Sequence, residues 1–203
     1  TRPDFSLART SAKLRPLMSG GAFLNYADRD LDDPARAYWD RNLERLIEMR
    51  KQVVDLEASA RKAVSGQVAA GEPAERFVLD VTGPLPEIWA DPDKVDQVLA
   101  NLVENALRHG AGTVTIRIRP DDGGPPGAVV FVEDEGEGVA PDTAARVFTR
   151  FWRGNRARGT GLGLYIVKGL VEAHGGTVEV GRAPGGGAQF RFVLPADQPP
   201  YAE

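Results

Sequence analysis

The chain has 203 residues, 42% of them hydrophobic, and a formal net charge of −4. That suits one domain with an appendage, or two small domains, around a buried core. The acidic balance excludes a nucleic-acid backbone as main partner, and the lack of cysteine excludes disulfides, thiolate zinc sites and cysteine nucleophiles, in keeping with a reducing compartment.

No apolar run reaches the roughly 18 residues of a membrane span, and no signal peptide is visible. The chain starts at Thr1 rather than Met, so a cut or processed fragment is expected. Residues 1–33 carry a short helical pattern around 5–17, then Ser19-Gly20-Gly21 and a mixed segment ending at Asp32-Asp33. Asp33-Pro34 opens a helix whose apolar positions are Trp39, Leu43, Leu46, Ile47, Met49 and Val53. Such a helix packs in a hairpin with the first segment, on a second copy as a dimer bundle, or on its own domain. A domain boundary falls at 51/52, where the pattern changes to a short strand, a helix to about 68, and strands over 76–81 and 87–90.

Ala90-Asp91-Pro92 then starts a helix running to about His109, with Asp91 as cap and Pro92 where its missing donor costs nothing. Val95, Val98, Leu99, Leu102, Val103, Ala106 and Leu107 recur at three-and-four spacing as one apolar stripe. Asn101 and Asn105 occupy another edge with Arg108, so two amides and a cation stand together. A neutral amide oxygen ligates Mg²⁺ without repelling phosphates that the ion also bridges, which gives Asn105 a chemical role.

Strands over 112–119 and 128–133 form a central hairpin around the turn-rich 120–127. The second strand ends in Glu133-Asp134-Glu135-Gly136-Glu137-Gly138, whose glycines let the backbone approach a flat ligand. A buried carboxylate at Asp134 accepts from the exocyclic amine of adenine and rejects guanine, which presents a carbonyl oxygen there. A helical stretch near 141–147 leads into FTRFWRGNRARG, which resembles a lid: aromatic anchors, with Arg150, Arg153, Arg156 and Arg158 over the phosphates. Gly159, Thr160, Gly161, Leu162, Gly163 and Leu164 open a helix over 162–174, so free N–H groups and the positive helix end meet at one point, a phosphate seat. Gly175-Gly176 closes that helix, with His174 read as a helix-terminal residue favoured by the dipole, and strands over 177–181 and 189–194 flank a turn at 184–187 before a loose tail. The order of elements indicates an α+β sandwich, one mostly antiparallel sheet under a helical layer.

Taken together, ADPDKVDQVLANLVENALRHG, VEDEGEGV, VFTRFWRG and GTGLGLYIVKGLVEAHGG resemble, in order and spacing, the N, G1, F and G2 boxes of sensor histidine kinases. The resemblance covers roughly 52–196 and implies the family's catalytic domain, a Bergerat-type ATP-binding sandwich shared with gyrase, Hsp90 and MutL-type ATPases. It implies Mg²⁺ on Asn105, phosphate support from Asn101 and Arg108, and His109 near the nucleotide. It further implies adenine on Asp134 over Gly136 and Gly138, Arg150 near the γ-phosphate, and the triphosphate on Gly159, Gly161 and Gly163. Ala188 replaces a usual hydroxyl residue in the closing segment GGGAQFRFVLP.

Upstream, the family carries a hairpin with an accepting histidine. Here residues 1–51 hold only the echo Ala12-Lys13-Leu14-Arg15-Pro16-Leu17, with Ala12 at the histidine position, as in a degenerate or truncated dimerisation and phosphoacceptor hairpin. The expected function is therefore ATP-Mg²⁺-dependent phosphotransfer to a histidine outside this sequence, with a response regulator and a homodimer through the N-terminal helices as partners. The expected location is cytoplasmic, as part of a membrane-anchored sensor. Rival readings are a pseudokinase that signals by binding ATP, an ATPase clamp in which Glu104 activates water, and a serine kinase of the anti-sigma type.

Overall fold

The computed structural model describes residues 51–144, 146–152 and 161–196. The expected N-terminal helices with Ala12, the lid residues Arg153, Arg156 and Arg158, Gly159, Thr160, and the tail over 197–203 lie outside them.

Strand β1 (Gln52–Val54) leads into helix α1 (Leu56–Ala69), which Asp55 caps by accepting from the Ala58 N–H at 2.9 Å. A single 3-10 turn at Ala74–Arg76 precedes β2 (Phe77–Val81) and β3 (Ile88–Ala90). Helix α2 (Pro92–His109) begins as its sequence predicts, with Pro92 in the first turn and the Asp91 carboxylate accepting from the Asp93 N–H at 3.0 Å. Strands β4 (Val114–Pro120) and β5 (Gly127–Glu133) form the expected hairpin. A short helix α3 (Pro141–Ala144) and a chain of turns follow, then α4 (Gly163–Ala173), β6 (Thr177–Ala183) and β7 (Gly186–Pro195). The last two strands run longer than the sequence pattern indicated, because the pairing continues nearly to the turn, down to Ala183 opposite Gly186.

Five strands form one sheet in the order β2-β4-β5-β7-β6, while β1 and β3 pair separately. All pairs are antiparallel except β2 with β4. That exception is dictated by α2: a parallel neighbour requires a crossover, and β3 with α2 supplies it. One sheet face is an apolar ladder in which Ile116 and Ile118 of β4 face Val132 and Val130 of β5, which in turn face Phe190 and Phe192 of β7. Onto this side pack Leu99, Leu102 and Val103 of α2 and Val167 and Leu170 of α4, each 0% exposed. Truncating any such leucine costs about 2–5 kcal/mol. The other face is polar. There Arg119 lies 5.1 Å from the centre of the Phe131 ring, Arg117 pairs with Glu133, and Arg191 reaches Glu179 at 3.1 Å and Asp121 at 3.4 Å.

His174 caps α4 but does more than sit on its dipole, as the sequence had suggested. It is buried, its Nδ1 donates to the Leu170 carbonyl at 2.7 Å, and its Nε2 accepts from the Asp91 backbone N–H at 3.1 Å. The ring is a neutral strut between the start of α2 and the end of α4. Among the described residues no helix is long and apolar enough to cross a membrane.

Candidate nucleotide site

The stripe that buries one side of α2 turns its polar edge outward and fixes which residues face a ligand. Asn101 is partly exposed, and its Nδ2 donates back to the Gln97 carbonyl at 2.9 Å. With the nitrogen so tied, Oδ1 points to the start of α4, where a Cβ built on Gly163 would lie 3.3 Å from it. Asn105 is likewise partly exposed one turn further on. Arg108 and Glu104 form an i,i+4 ion pair on the same helix, both partly open to solvent. Glu104 is thus engaged by Arg108.

The C-terminal end of α2 runs into the acid at the end of β5. A Cβ on Gly110 would stand 2.5 Å from the Asp134 Cβ, so the helix exit and the acid are in direct contact. Asp134 is 5% exposed, and its Oδ1 accepts from Gly136 N at 2.8 Å and Ala188 N at 3.2 Å. Both bonds fall on one oxygen. Gly136 itself abuts Gly110 and Ala111, and Gly138, at φ +79, abuts the Gly187 carbonyl. The neighbouring Glu135 straps the turn to the helix exit by accepting from Thr113 N at 3.0 Å. His109, exposed at the end of α2, is held below its ordinary value of 6.5, first by partial loss of water and then by the Arg108 guanidinium, with Asp134 pulling the other way.

The start of α4 has the features of an anion seat. Leu162 occupies the cap position with no side-chain hydrogen bond, and no acidic residue stands in the first turn. The N–H groups of Gly163 and Leu164 therefore face outward with the positive end of the helix, while the Ile166 N–H closes the first turn on the Leu162 carbonyl at 2.9 Å. Leu162 itself is buried and anchors the seat. Gly161 has φ +69, and a Cβ there would come within 2.6 Å of the Trp152 carbonyl oxygen. The segments that bound 153–160 thus meet back to back. Phe148 anchors this region edge-on against Phe190, with ring centres 6.3 Å apart, and the Arg150 guanidinium stacks 4.5 Å from the centre of the exposed Phe151 ring.

Asn101 at the anion seat and Gly110 at the acid are nine residues apart on α2, which is about 14 Å of helix. An extended nucleoside triphosphate bridges such a gap. Among the described residues no cluster of three or more metal-ligating side chains occurs. A cation here would need ligands brought by the nucleotide, which fits Mg²⁺ held by one neutral amide, phosphate oxygens and water. A groove of about 240 Å³ lies elsewhere, between β1, α1 and the start of α2.

Comparison with known proteins bears on this geometry. The family described as histidine kinase-, DNA gyrase B-, and HSP90-like ATPase matches residues 90–198, more than half of the chain. The chain belongs to that family. A second, short match, to a berberine and berberine like family at 22–55, falls mostly outside the described residues. Within the ATPase family the chain is similar to sensor histidine kinases. It is 36% identical over 167 residues to the sensor histidine kinase ZraS of Escherichia coli O157:H7, covering 78% of this chain and 36% of that protein. It is 39% identical over 114 residues to the sensor protein SrrB of Staphylococcus aureus, covering 53% of this chain and 19% of that protein. The chain therefore spans about a third or less of the length of these relatives. Full-length ShkA in complex with AMPPNP superposes with a TM-score of 0.62 at 37% identity, covering 71% of this chain and 31% of that one. The ATP binding domain of PrrB from Mycobacterium tuberculosis gives 0.57 at 26% identity, covering 73% and 99%. The α+β sandwich expected from the sequence is the fold of a histidine kinase ATPase domain.

Gly110 and Gly187 abut Asp134 without being singled out by the sequence, and Ala188, expected only as the replacement of a hydroxyl residue, holds Asp134 through its backbone N–H. The run Gly185-Gly186-Gly187 is the signal for Gly187, but a glycine run says nothing about which distant side chain it must clear.

Proposed function

We propose that this domain binds ATP with Mg²⁺ and, in the intact protein, serves as the catalytic domain of a two-component sensor histidine kinase. The observation that carries the reading is the single helix α2, which joins an uncapped helix N-terminus at Asn101 to a buried carboxylate at Gly110. ATP supplies the γ-phosphoryl group and Mg²⁺ spreads its charge. The chain's own residues position and neutralise. Asp134 offers Oδ2 to the adenine amine, and the glycines beside it let the base lie flat. Asn105 offers an uncharged oxygen to the cation, Asn101 orients the phosphates, and the N–H groups at Gly163 and Leu164 receive their negative charge. Arg108 and His109 border the path and Arg150 serves the γ-phosphate, while Gly159 and Thr160, outside the described residues, are assigned to the triphosphate from the resemblance of the glycine-rich motif alone. Catalysis of this kind is mostly positioning and charge, with the attacking imidazole brought by a phosphoacceptor domain upstream or on a second chain. A response regulator, homodimerisation through the N-terminal helices and a place in the cytoplasmic part of a membrane-anchored sensor belong to the same proposal. The clamp reading is less well supported, because the relatives to which this chain is similar are sensor histidine kinases and a sensor protein.

Incubating the chain with γ-labelled ATP, Mg²⁺ and a histidine-bearing helical hairpin tests the proposal. The expected product is an acid-labile phosphoprotein. Free phosphate alone would support the clamp, and nucleotide binding without either product a pseudokinase.

A further inference from the structure

The start of β7 packs directly against the acid of the site. Gly187 has φ +52, and a Cβ there would fall on the Asp134 carbonyl oxygen, 2.5 Å from the carbonyl carbon and 2.9 Å from Oδ1. Its own N–H donates to the Gly136 carbonyl at 2.9 Å. The next residue, Ala188, donates its N–H to Asp134 Oδ1 at 3.2 Å and accepts from the Asp134 N–H at 3.1 Å. The acid is thus held from two sides, by its own turn through Gly136 and by β7 through Ala188.

We infer that Gly187 is a positioning and specificity-determining residue: by bringing β7 against β5 without a side chain, it fixes Asp134 Oδ1 on two backbone donors and leaves Oδ2 as the one oxygen that meets the base. This rests on the nucleotide reading above and adds to it how purine choice is set. A carboxylate free to rotate presents either oxygen and tolerates several orientations of a donor. One clamped by two N–H groups offers a single acceptor in one direction. A base with an exocyclic amine there donates to it. A base with a carbonyl oxygen places two acceptors face to face, so the rigidity of the clamp sets the size of the ATP over GTP preference.

The test measures ATP and GTP affinity, with Mg²⁺, for the 203-residue chain and three variants, with thermal melts alongside. In Gly187→Ala the turn must back away, and in an ester variant carrying lactic acid at position 188 the N–H to Oδ1 is deleted without adding an atom. Gly185→Ala is the control, since a Cβ there meets nothing within 4 Å. The expected result is about a tenfold or greater loss of the ATP over GTP preference in the first two variants, with Gly185→Ala matching the wild type. A merely structural role would lower the melting temperature and leave that ratio alone. An unchanged ratio in folded Gly187→Ala and in the ester variant overturns the inference while the nucleotide site stands. If Gly187→Ala loses its fold, the ester variant decides. A wild-type chain that binds neither nucleotide removes the site itself, and this role with it.

Discussion

His174 and Asp91 are joined across two packed helices, the buried imidazole accepting the backbone N–H that would otherwise be left over at the start of α2. The same ring donates to Leu170, so one side chain satisfies a group on each helix. His174→Ala removes both buried bonds, and a loss of about 1–3 kcal/mol in unfolding free energy is expected from that. Urea denaturation measures it, and an unchanged midpoint would show the strut to be dispensable.

Asn105→Ala is expected to abolish Mg-ATP binding while the circular dichroism spectrum and melting temperature stay near wild type, because a partly exposed helical position tolerates alanine. Asn105→Asp brings a negative charge to a place that must receive phosphates, so it should also bind poorly, and worse at low salt than at high salt. Calorimetric titration with and without Mg²⁺ reads both. Unchanged affinity would remove Asn105 from the site.

The Glu104 and Arg108 pair separates stability from binding. Both side chains are partly open to water, so a double-mutant cycle on unfolding should return a coupling of no more than about 0.5 kcal/mol. If Arg108 contacts phosphate as proposed, Arg108→Ala should nevertheless weaken ATP binding by about tenfold, the effect of losing one charged hydrogen bond. Equal affinity of the variant and the wild type would show that Arg108 serves Glu104 alone.

Gly161→Ala forces a side chain into a left-handed backbone at φ +69 and against the Trp152 carbonyl. The backbone cost alone is about 1–2 kcal/mol. The expected outcome is a lower melting temperature together with weaker ATP binding, because the start of α4 has to shift. A variant with wild-type stability would show that this junction relaxes freely.

The lowered ionisation of His109 gives a pH dependence of defined sign. Its folded value lies below the ordinary 6.5, so between the two values the unfolded chain binds more protons than the folded one. Stability should therefore fall as pH drops through that window and be insensitive to this group above it. His109→Gln should flatten that part of the curve, and a curve of identical slope would rule the residue out as its source.

How much of this was legible in the residues varies with the range of the forces. Helix α2 was readable because its cap, its Pro92 and its apolar stripe are all local, and the amide edge follows from the same periodicity. Asp134 was readable because it closes a strand and is followed by glycines. The parallel pairing of β2 with β4 was not, since Phe77 meets Val114 only after the whole crossover has folded between them. The same holds for the hold that Ala188 takes on Asp134, and for the reach of His174 to Asp91, which joins residues 83 apart. Local patterns name the side chains proposed for the chemistry, while backbone groups that hold them, such as Ala188 N–H on Asp134, come from chain segments far away in sequence.

The crossover between β2 and β4 is also the wall of the nucleotide site, because α2 fills both places. Sheet completion and site assembly are on that account one event. A chain that has closed its central sheet already displays its carboxamides, and damage to the helix undoes scaffold and receptor at once. Only a change confined to the side chains of its outer edge separates the two.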